Sequence, residues 1–274
     1  MGRRQEIRVA VAVMLGLAGS LVSAGPAFAA QMDVHNFEVG PEIYYFNYEE
    51  PGVMEEDGVF YGVGAAYRYH NTLMLGLDGR LAFGSVDYTS PASGSIDDIN
   101  DVVIETRGTF GMDWSMKDNV VLTPFSGFGY RYLNDDTSGR SSTTGALGYE
   151  RESNYYYSPI GLAARWSGAQ DWTVTLSGEY DFFWSGTQKS HLSDAVATLN
   201  DLENDQDDGY GTRASLAVEK KGRKMDWVCE AFWRYWDIEE SNAAPLSLSG
   251  TVIGVGFEPA NDSFEIGGRI TARF

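Results

Sequence analysis

Residues 263–274 read S-F-E-I-G-G-R-I-T-A-R-F and alternate apolar and polar side chains up to the last residue. Side chains two residues apart lie on the same face of a β-strand, so this period of two predicts a strand with one apolar and one polar face. The polar face carries Glu265, Arg269 and Arg273, and the apolar face ends on an aromatic ring. A soluble, half-buried strand would alternate in the same way. A strand between hydrocarbon and a polar lumen also requires this arrangement, with the apolar face outward.

The same alternation recurs in nine other segments of the chain. Each is near or above the length of about 9–11 residues that crosses a bilayer at a tilt. The additional predicted strands are residues 37–48, 59–69, 73–85, 102–114, 121–133, 155–166, 172–184, 210–218 and 225–235. The pattern predicts an all-β fold, a transmembrane antiparallel up-and-down β-barrel of about ten strands.

The connections between these strands alternate in length, as such a barrel requires. Short connections are expected at residues 70–72, 115–119, 167–171 and 220–224. Long connections are expected at residues 49–57, 86–101, 134–153, 185–209 and 237–262. Short periplasmic turns and long extracellular loops, with both termini on the periplasmic side, are the usual plan of outer-membrane barrels.

The end of the chain resembles the C-terminal insertion signal of bacterial outer-membrane β-barrels, which finish on an outward-facing Phe. The residues that carry the resemblance are Phe264, Ile266, Ile270 and Phe274. It extends by pattern over residues 30–274 and is to the general, porin-like class of small barrels, because no motif identifies a subfamily. The resemblance implies the outer membrane of a Gram-negative bacterium as location and the barrel-assembly machinery as a partner during insertion.

Residues 1–29 have the features of a secretory signal. A basic start with Arg3, Arg4 and Arg8 precedes a short apolar run, and Ala27-Phe28-Ala29 offers a small-x-small cleavage site. The run is too short and too interrupted for a membrane helix, which needs about 20 apolar residues. We therefore expect residues 30–274 to form a single barrel domain. Its one cysteine, Cys229, excludes an internal disulfide.

The negative charge of the chain is concentrated in the predicted loops. The formal net charge is −19, and the five long connections contain 24 acidic residues against Arg140, Arg151 and Lys189. Such acidity argues against nucleic acid as a partner. We expect a monomer that contacts outer-membrane lipid and lipopolysaccharide. No cofactor is expected, apart from weakly bound Ca²⁺ or Mg²⁺ at the acidic loops, for example at Asp205, Asp207 and Asp208.

Charged residues also recur on the inward face of the predicted strands. Every inward cation is an arginine, whose rigid fork of donors can bridge two carboxylates. A barrel of about ten strands leaves little room inside, and an unpaired charge there is costly. The predicted lumen charge network consists of Glu42, Arg68, Asp78, Arg80, Glu105, Arg107, Arg131, Arg165, Glu179, Asp181, Arg213, Glu230, Arg234 and Arg269. These residues are expected to plug the lumen; the alternative is a narrow conduit for ions or small solutes lined by them.

The sequence contains three histidines, His35, His70 and His191, which limits the catalytic sites that it could form. The omptin proteases resemble this chain in their ten-strand plan, and that resemblance implies an Asp pair opposite an Asp–His pair at the extracellular rim. Asp135-Asp136 and His191 with Asp194 supply these residue types. The spacing departs from the D-x-H of that family, however, and adjacent Asp residues face apart on a strand. We therefore predict a non-enzymatic barrel with a structural or surface-interaction role.

Two loop segments have patterns of their own. Residues 191–203 place Leu192, Val196, Leu199 and Leu202 at helical spacing, which allows a short amphipathic helix or a mobile loop. Residues 251–257, T-V-I-G-V-G-F, read as a strand. They could extend a barrel strand beyond the membrane or form an eleventh strand, which would break the even count.

Overall fold

A computed structural model describes residues 34–117, 119–168 and 170–274. The predicted signal, residues 1–29, lies outside these ranges. The elements are β1 (His35–Glu50), β2 (Met54–Asn71), β3 (Leu73–Ser90), β4 (Gly94–Met112), β5 (Trp114–Lys117), β6 (Val120–Asp136), β7 (Glu150–Ser167), β8 (Trp172–Ser190), α1 (Leu192–Ala195), β9 (Leu202–Gln206), β10 (Gly209–Lys220), β11 (Asp226–Ile238), β12 (Ala244–Leu248), β13 (Thr251–Gly256) and β14 (Asn261–Arg273).

Ten of these strands form a closed antiparallel ring. The order around the ring is β1, β2, β3, β4, β6, β7, β8, β10, β11 and β14, and β14 pairs with β1. The short β5 follows β4 and pairs with β6. At the seam between first and last strands, the amide of Phe37 donates to the carbonyl of Phe274 at 3.1 Å and the amide of Phe274 donates back at 2.9 Å. The predicted ten-stranded up-and-down barrel is confirmed.

The outer wall carries an apolar belt, defined by large hydrophobic side chains that point away from the lumen. Tyr61, Ile160 and Phe274 are 63%, 58% and 62% exposed. Beyond the belt, outward positions become acidic, and Asp57 and Asp87 lie directly opposite each other on β2 and β3. We call this acidic end, with its long connections, the hairpin end. The other, which holds the short turns and the seam residue Phe274, is the turn end.

At the hairpin end the strands run further than predicted. A loop was expected at residues 86–101, but β3 continues to Ser90 and β4 starts at Gly94, which leaves a three-residue turn. The reason is that the hydrophobic alternation stops where the apolar belt stops, whereas the backbone ladder does not need apolar side chains. Several expected loops are therefore long, twisted hairpins that extend the barrel.

The two loop segments with patterns of their own, residues 191–203 and 251–257, form neither a helix along their length nor an eleventh barrel strand. The helical spacing at residues 191–203 yields a single turn, α1, and Leu202 and Glu203 lie in β9, so a helix over the whole segment does not form. Residues 251–256 form β13, which pairs with β12 in a separate two-stranded sheet and does not enter the ring. Among the described residues, no helix is long and apolar enough to cross a membrane.

Candidate functional site

All fourteen residues of the predicted charge network are buried or partly buried and lie on the inner face of the ring. The β-strand period places them there, since each alternates with outward residues of the belt. Together with Arg273 they bring nine arginines into the lumen. We call these arginines and the carboxylates that face them the ion-pair layer.

The centre of the ion-pair layer is Arg80 on β3. Its guanidinium lies 2.7 Å from Glu105, 2.8 Å from Glu265 and 3.6 Å from Glu42. Glu265, on β14, also receives a hydrogen bond of 2.8 Å from Arg234 and lies 3.6 Å from the Arg131 guanidinium. One carboxylate therefore joins three arginines that come from three different strands. The lumen is cross-linked at this level by charge-assisted hydrogen bonds, which are about twice as strong as neutral ones.

A second part of the layer is centred on Arg213 of β10. Its guanidinium contacts Glu105 and Asp181, both at 2.5 Å, and the Tyr157 hydroxyl at 2.9 Å. Beside it, Arg107 donates two parallel hydrogen bonds of 2.9 and 3.0 Å to Glu179. This bidentate geometry fixes orientation as well as distance.

Towards the turn end the pairs are more separated. Arg68 lies 2.6 Å from Asp78, Arg165 lies 3.1 Å from Glu219, and the Arg269 Nε lies 3.0 Å from Glu230. Here the lumen holds a cavity of about 280 Å³ lined in part by these charged groups. In the same region Arg273 pairs with Glu38 and Glu219, and the Nδ1 atom of His70 lies 2.8 Å from a carboxylate oxygen of Asp113.

An apolar cluster inside the lumen was missed by sequence analysis. Tyr44 and Phe60 are fully buried and stack with ring centroids 5.2 Å apart, and Phe46 packs edge-on against Phe60. Val103 and Phe232 belong to the same cluster. We call this cluster, with Arg80 and its three carboxylates, the septum. The signal was present in Tyr44-Tyr45-Phe46, because three consecutive aromatics cannot all face lipid on a strand.

On the hairpin side of the septum lies an outer chamber with a different charge balance. Its cavity, about 300 Å³, is lined by Glu50, Glu56, Asp135, Arg151 and Glu258, among others. Arg151 lies 2.5 Å from both Glu50 and Glu258, and the Tyr48 hydroxyl also contacts these two carboxylates. Among the described residues that line this chamber, Arg151 is the single arginine, and it is already paired with Glu50 and Glu258.

The other carboxylates of the outer chamber form a triad of Glu56, Asp101 and Asp135. They are only 3%, 1% and 5% exposed. Asp101 and Asp135 lie directly opposite each other on β4 and β6, just beyond Val102, the last outward apolar residue of β4. Burial and the neighbouring carboxylates raise the pKa of Glu56 and of Asp101 well above their ordinary values. Burial raises the pKa of Asp135 as well, although Arg151 opposes the shift.

The residues considered for a rim protease do not come together. Asp135 faces the lumen, whereas Asp136 is exposed on the outer wall. His191 lies on the outer wall as well, 2.9 Å from Glu152, and this hydrogen bond raises the pKa of His191. Asp194 accepts a hydrogen bond from the amide of Glu150. Because Asp135 and His191 lie on opposite faces of the wall, the arrangement implied by the omptin resemblance is not assembled.

Potential metal ligands were also located. Within the described residues, one group of three brings its ligand atoms within 4.8 Å of one another, namely Glu150, Glu152 and His191. We call this group the wall trio; its members are partly exposed and hydrogen-bonded to one another or to neighbours. Asp205 instead contacts Asn242, and Asp208 caps the amide of Gly209. The predicted loop aspartates therefore do not converge.

The fold is shared with a known bacterial outer-membrane protein. The chain is similar to the outer membrane protease OmpT from Escherichia coli, with a TM-score of 0.64 and 12% identity, covering 93% of this chain and 99% of that chain. The transport unit of the autotransporter AIDA-I from Escherichia coli matches with a TM-score of 0.45 and 10% identity over 95% and 96% of the two chains. Only the first likeness is close enough to support a shared fold. No family model and no curated protein matches the chain.

Proposed function

We propose that this chain is a non-enzymatic outer-membrane β-barrel with a closed lumen and an acidic external end that serves a structural or surface-interaction role. The main support for this proposal is the septum. Arg80, its carboxylates and the Tyr44–Phe60 stack occupy the middle of the ring, between the two cavities. A ring of this strand number is only wide enough for side chains to fill.

The apolar belt supports the membrane placement. A closed ring leaves no unpaired strand edge, so its backbone polar groups are satisfied within hydrocarbon. The belt then contacts lipid, and the acidic hairpin end lies at the level of lipopolysaccharide headgroups. Phe264, Ile266, Ile270 and Phe274 point away from the lumen on the last strand, the geometry that recognition by the barrel-assembly machinery would need. Diffuse binding of Ca²⁺ or Mg²⁺ between external carboxylates and lipopolysaccharide phosphates is part of the proposal.

Planar-bilayer conductance tests the closed lumen. The purified mature barrel is expected to show no steady openings at moderate voltage, because ions would have to cross the septum. The variant Tyr44→Ala with Phe60→Ala removes two stacked rings and is expected to produce openings. An outward pair in the belt, Tyr61→Ala with Phe83→Ala, removes comparable ring area outside the lumen and should leave the membrane unconducting.

A narrow pore is the second candidate, and the charged cavity at the turn end favours it. That cavity already provides an aqueous entry lined by arginines and carboxylates. Steady wild-type openings whose ion selectivity changes in Arg107→Gln would establish the pore and reject the closed lumen. Absence of channel openings in the wild type, together with openings in the Tyr44/Phe60 variant, would reject the pore.

A further inference from the structure

The outer chamber has more negative charge than its arginine can balance. Four inward carboxylates, Glu50, Glu56, Asp135 and Glu258, line the chamber with Arg151, and a fifth, Asp101, lies opposite Asp135 on the neighbouring strand. Arg151 lies against Glu50 and Glu258 at 2.5 Å each. The triad is thus left without a cationic partner at hydrogen-bonding distance among the described residues.

The triad is also short of hydrogen-bond donors. Both carboxylate oxygens of Asp101 are buried without a donor, as are one oxygen of Glu56 and one of Asp135. A buried charge without a partner is costly and is normally neutralised by a proton, a counter-ion or a metal. Elsewhere in the lumen the fold supplies arginines for this purpose, so the shortage in the outer chamber points to something supplied from outside.

We infer that the outer chamber binds a divalent cation, Ca²⁺, through Glu56, Asp101 and Asp135. The three carboxylates come from β2, β4 and β6, so the ion would join three strands of the extended wall. Oxygen-only ligands are those preferred by Ca²⁺ and Mg²⁺. The site differs from the wall trio, whose imidazole suits transition metals, and from the exposed aspartates of residues 205–208.

Calcium fits the chamber better than magnesium. The ligand atoms of the triad do not all lie within 4.8 Å of one another. Ca²⁺, which accepts six to eight ligands in irregular geometry, tolerates such spacing better than Mg²⁺, which requires a near-ideal octahedron. The adjoining cavity of about 300 Å³ has room for the waters that complete the coordination. Its hairpin-end position gives the ion access from the external medium, where Ca²⁺ is available.

The test is calcium binding to the intact mature barrel in detergent micelles after EDTA treatment and dialysis. Isothermal titration with CaCl₂ at neutral pH is expected to show one site per chain, and thermal unfolding, followed by tryptophan fluorescence, should shift to higher temperature. Asp135→Asn is expected to weaken binding at least about tenfold, because ligand charge sets affinity in such sites. Asp136→Asn, the adjacent residue on the outer wall, is the matched control and should bind as wild type does.

Further variants decide between the alternatives. If Asp135→Asn does not fold, Glu56→Gln and Asp101→Asn test the same site from two other strands. Binding that persists in the triad variants but disappears in His191→Ala would assign the ion to the wall trio and overturn the inference. Absence of calcium binding in wild type would overturn it as well, and would leave protons as the means of neutralising the triad.

Discussion

The ion-pair layer and the outer chamber are both buried parts of one lumen, but they treat charge in opposite ways. In the ion-pair layer, nine arginines face ten carboxylates, and one of these, Asp113, is paired with His70. In the outer chamber, one arginine faces five carboxylates. The arginines of the ion-pair layer compensate all but one of its carboxylates, whereas the outer chamber needs protons or an external cation. Removing a charged group of the ion-pair layer should therefore destabilise the fold. Neutralising a carboxylate of the triad should instead stabilise it.

The largest effect is expected at Arg80. Arg80→Met leaves Glu42, Glu105 and Glu265 buried with fewer donors, and breaking a buried pair in this way costs about 3–5 kcal/mol. Equilibrium unfolding by denaturant in lipid vesicles measures the loss. Arg68→Met is the control, because Arg68 is more exposed and has one carboxylate partner, and its loss should be clearly smaller. Equal losses would mean that Arg80 contributes no more to the free energy of unfolding than an arginine in an isolated ion pair does.

The next largest effect tests which part of the wall lies within the hydrocarbon layer and which part lies beyond it. Leu176 points outward from β8 within the apolar belt, and Leu176→Arg is expected to cost about 2–4 kcal/mol in lipid vesicles. Thr187 points outward from the same strand beyond the belt, opposite Asn154. Thr187→Arg should cost little, since water or headgroups solvate the new charge. A small cost at Leu176 would contradict the placement of the ion-pair layer inside hydrocarbon.

A stabilising substitution is expected in the outer chamber. Asp101→Asn, compared with wild type in EDTA at neutral pH, removes a buried carboxylate that has no donor and should raise the free energy of unfolding. Each unit by which the pKa of Asp101 is raised corresponds to about 1.4 kcal/mol. The same type of change in the ion-pair layer, Glu105→Gln, should destabilise. If both variants lose stability, the two regions do not differ as described.

The smallest effect is a difference in pH dependence. The pKa values of Glu56, Asp101 and Asp135 are raised in the folded state, so their contribution is greatest below the ordinary values of 4.5 and 3.8 and is lost as pH rises through the raised values. Besides one another, the charged groups that act on these three carboxyl groups are Arg151, Glu50 and Asp136. In EDTA, the advantage of Asp101→Asn over wild type should shrink as pH falls towards 4. An advantage independent of pH would show that Asp101 binds no additional proton on folding, and would contradict the raised pKa of this carboxyl group.

The ring itself could be predicted because an apolar outer wall and a polar lumen impose a simple rule on each strand. Leu176 and Ile266 occupy the predicted outward face, and Arg80 and Glu265 the predicted inward face, without knowledge of any neighbour. The three carboxylates around Arg80 could not be predicted, since they depend on the register of strands far apart in sequence. The triad was assigned to loops because Glu56, Asp101 and Asp135 lie beyond the belt, where the hydrophobic alternation no longer marks the strands.

The failed helix at residues 191–203 has a similar explanation. Its leucines have helical spacing, but β8 extends beyond the start of β10 and leaves residues 186–190 without a partner on one side. β9 supplies that partner, with Gly186 opposite Gln206 and Ser190 opposite Leu202. Backbone hydrogen bonds to an open strand edge therefore decided the conformation of Leu202, and a one-dimensional pattern contains no information about that edge.

The hydrogen bonds between Phe37 and Phe274 have a consequence for how the chain reaches its final form. Most neighbours around the wall are joined by a short turn and can find each other locally, whereas Phe37 and Phe274 lie near opposite ends of the described sequence. Long-range pairing of this kind is entropically slow. Until it occurs, β1 and β14 each present an open edge that could accept another strand. Pairing of β1 with β14 therefore removes both open edges at once, and a ring without this seam stays exposed to pairing with other strands.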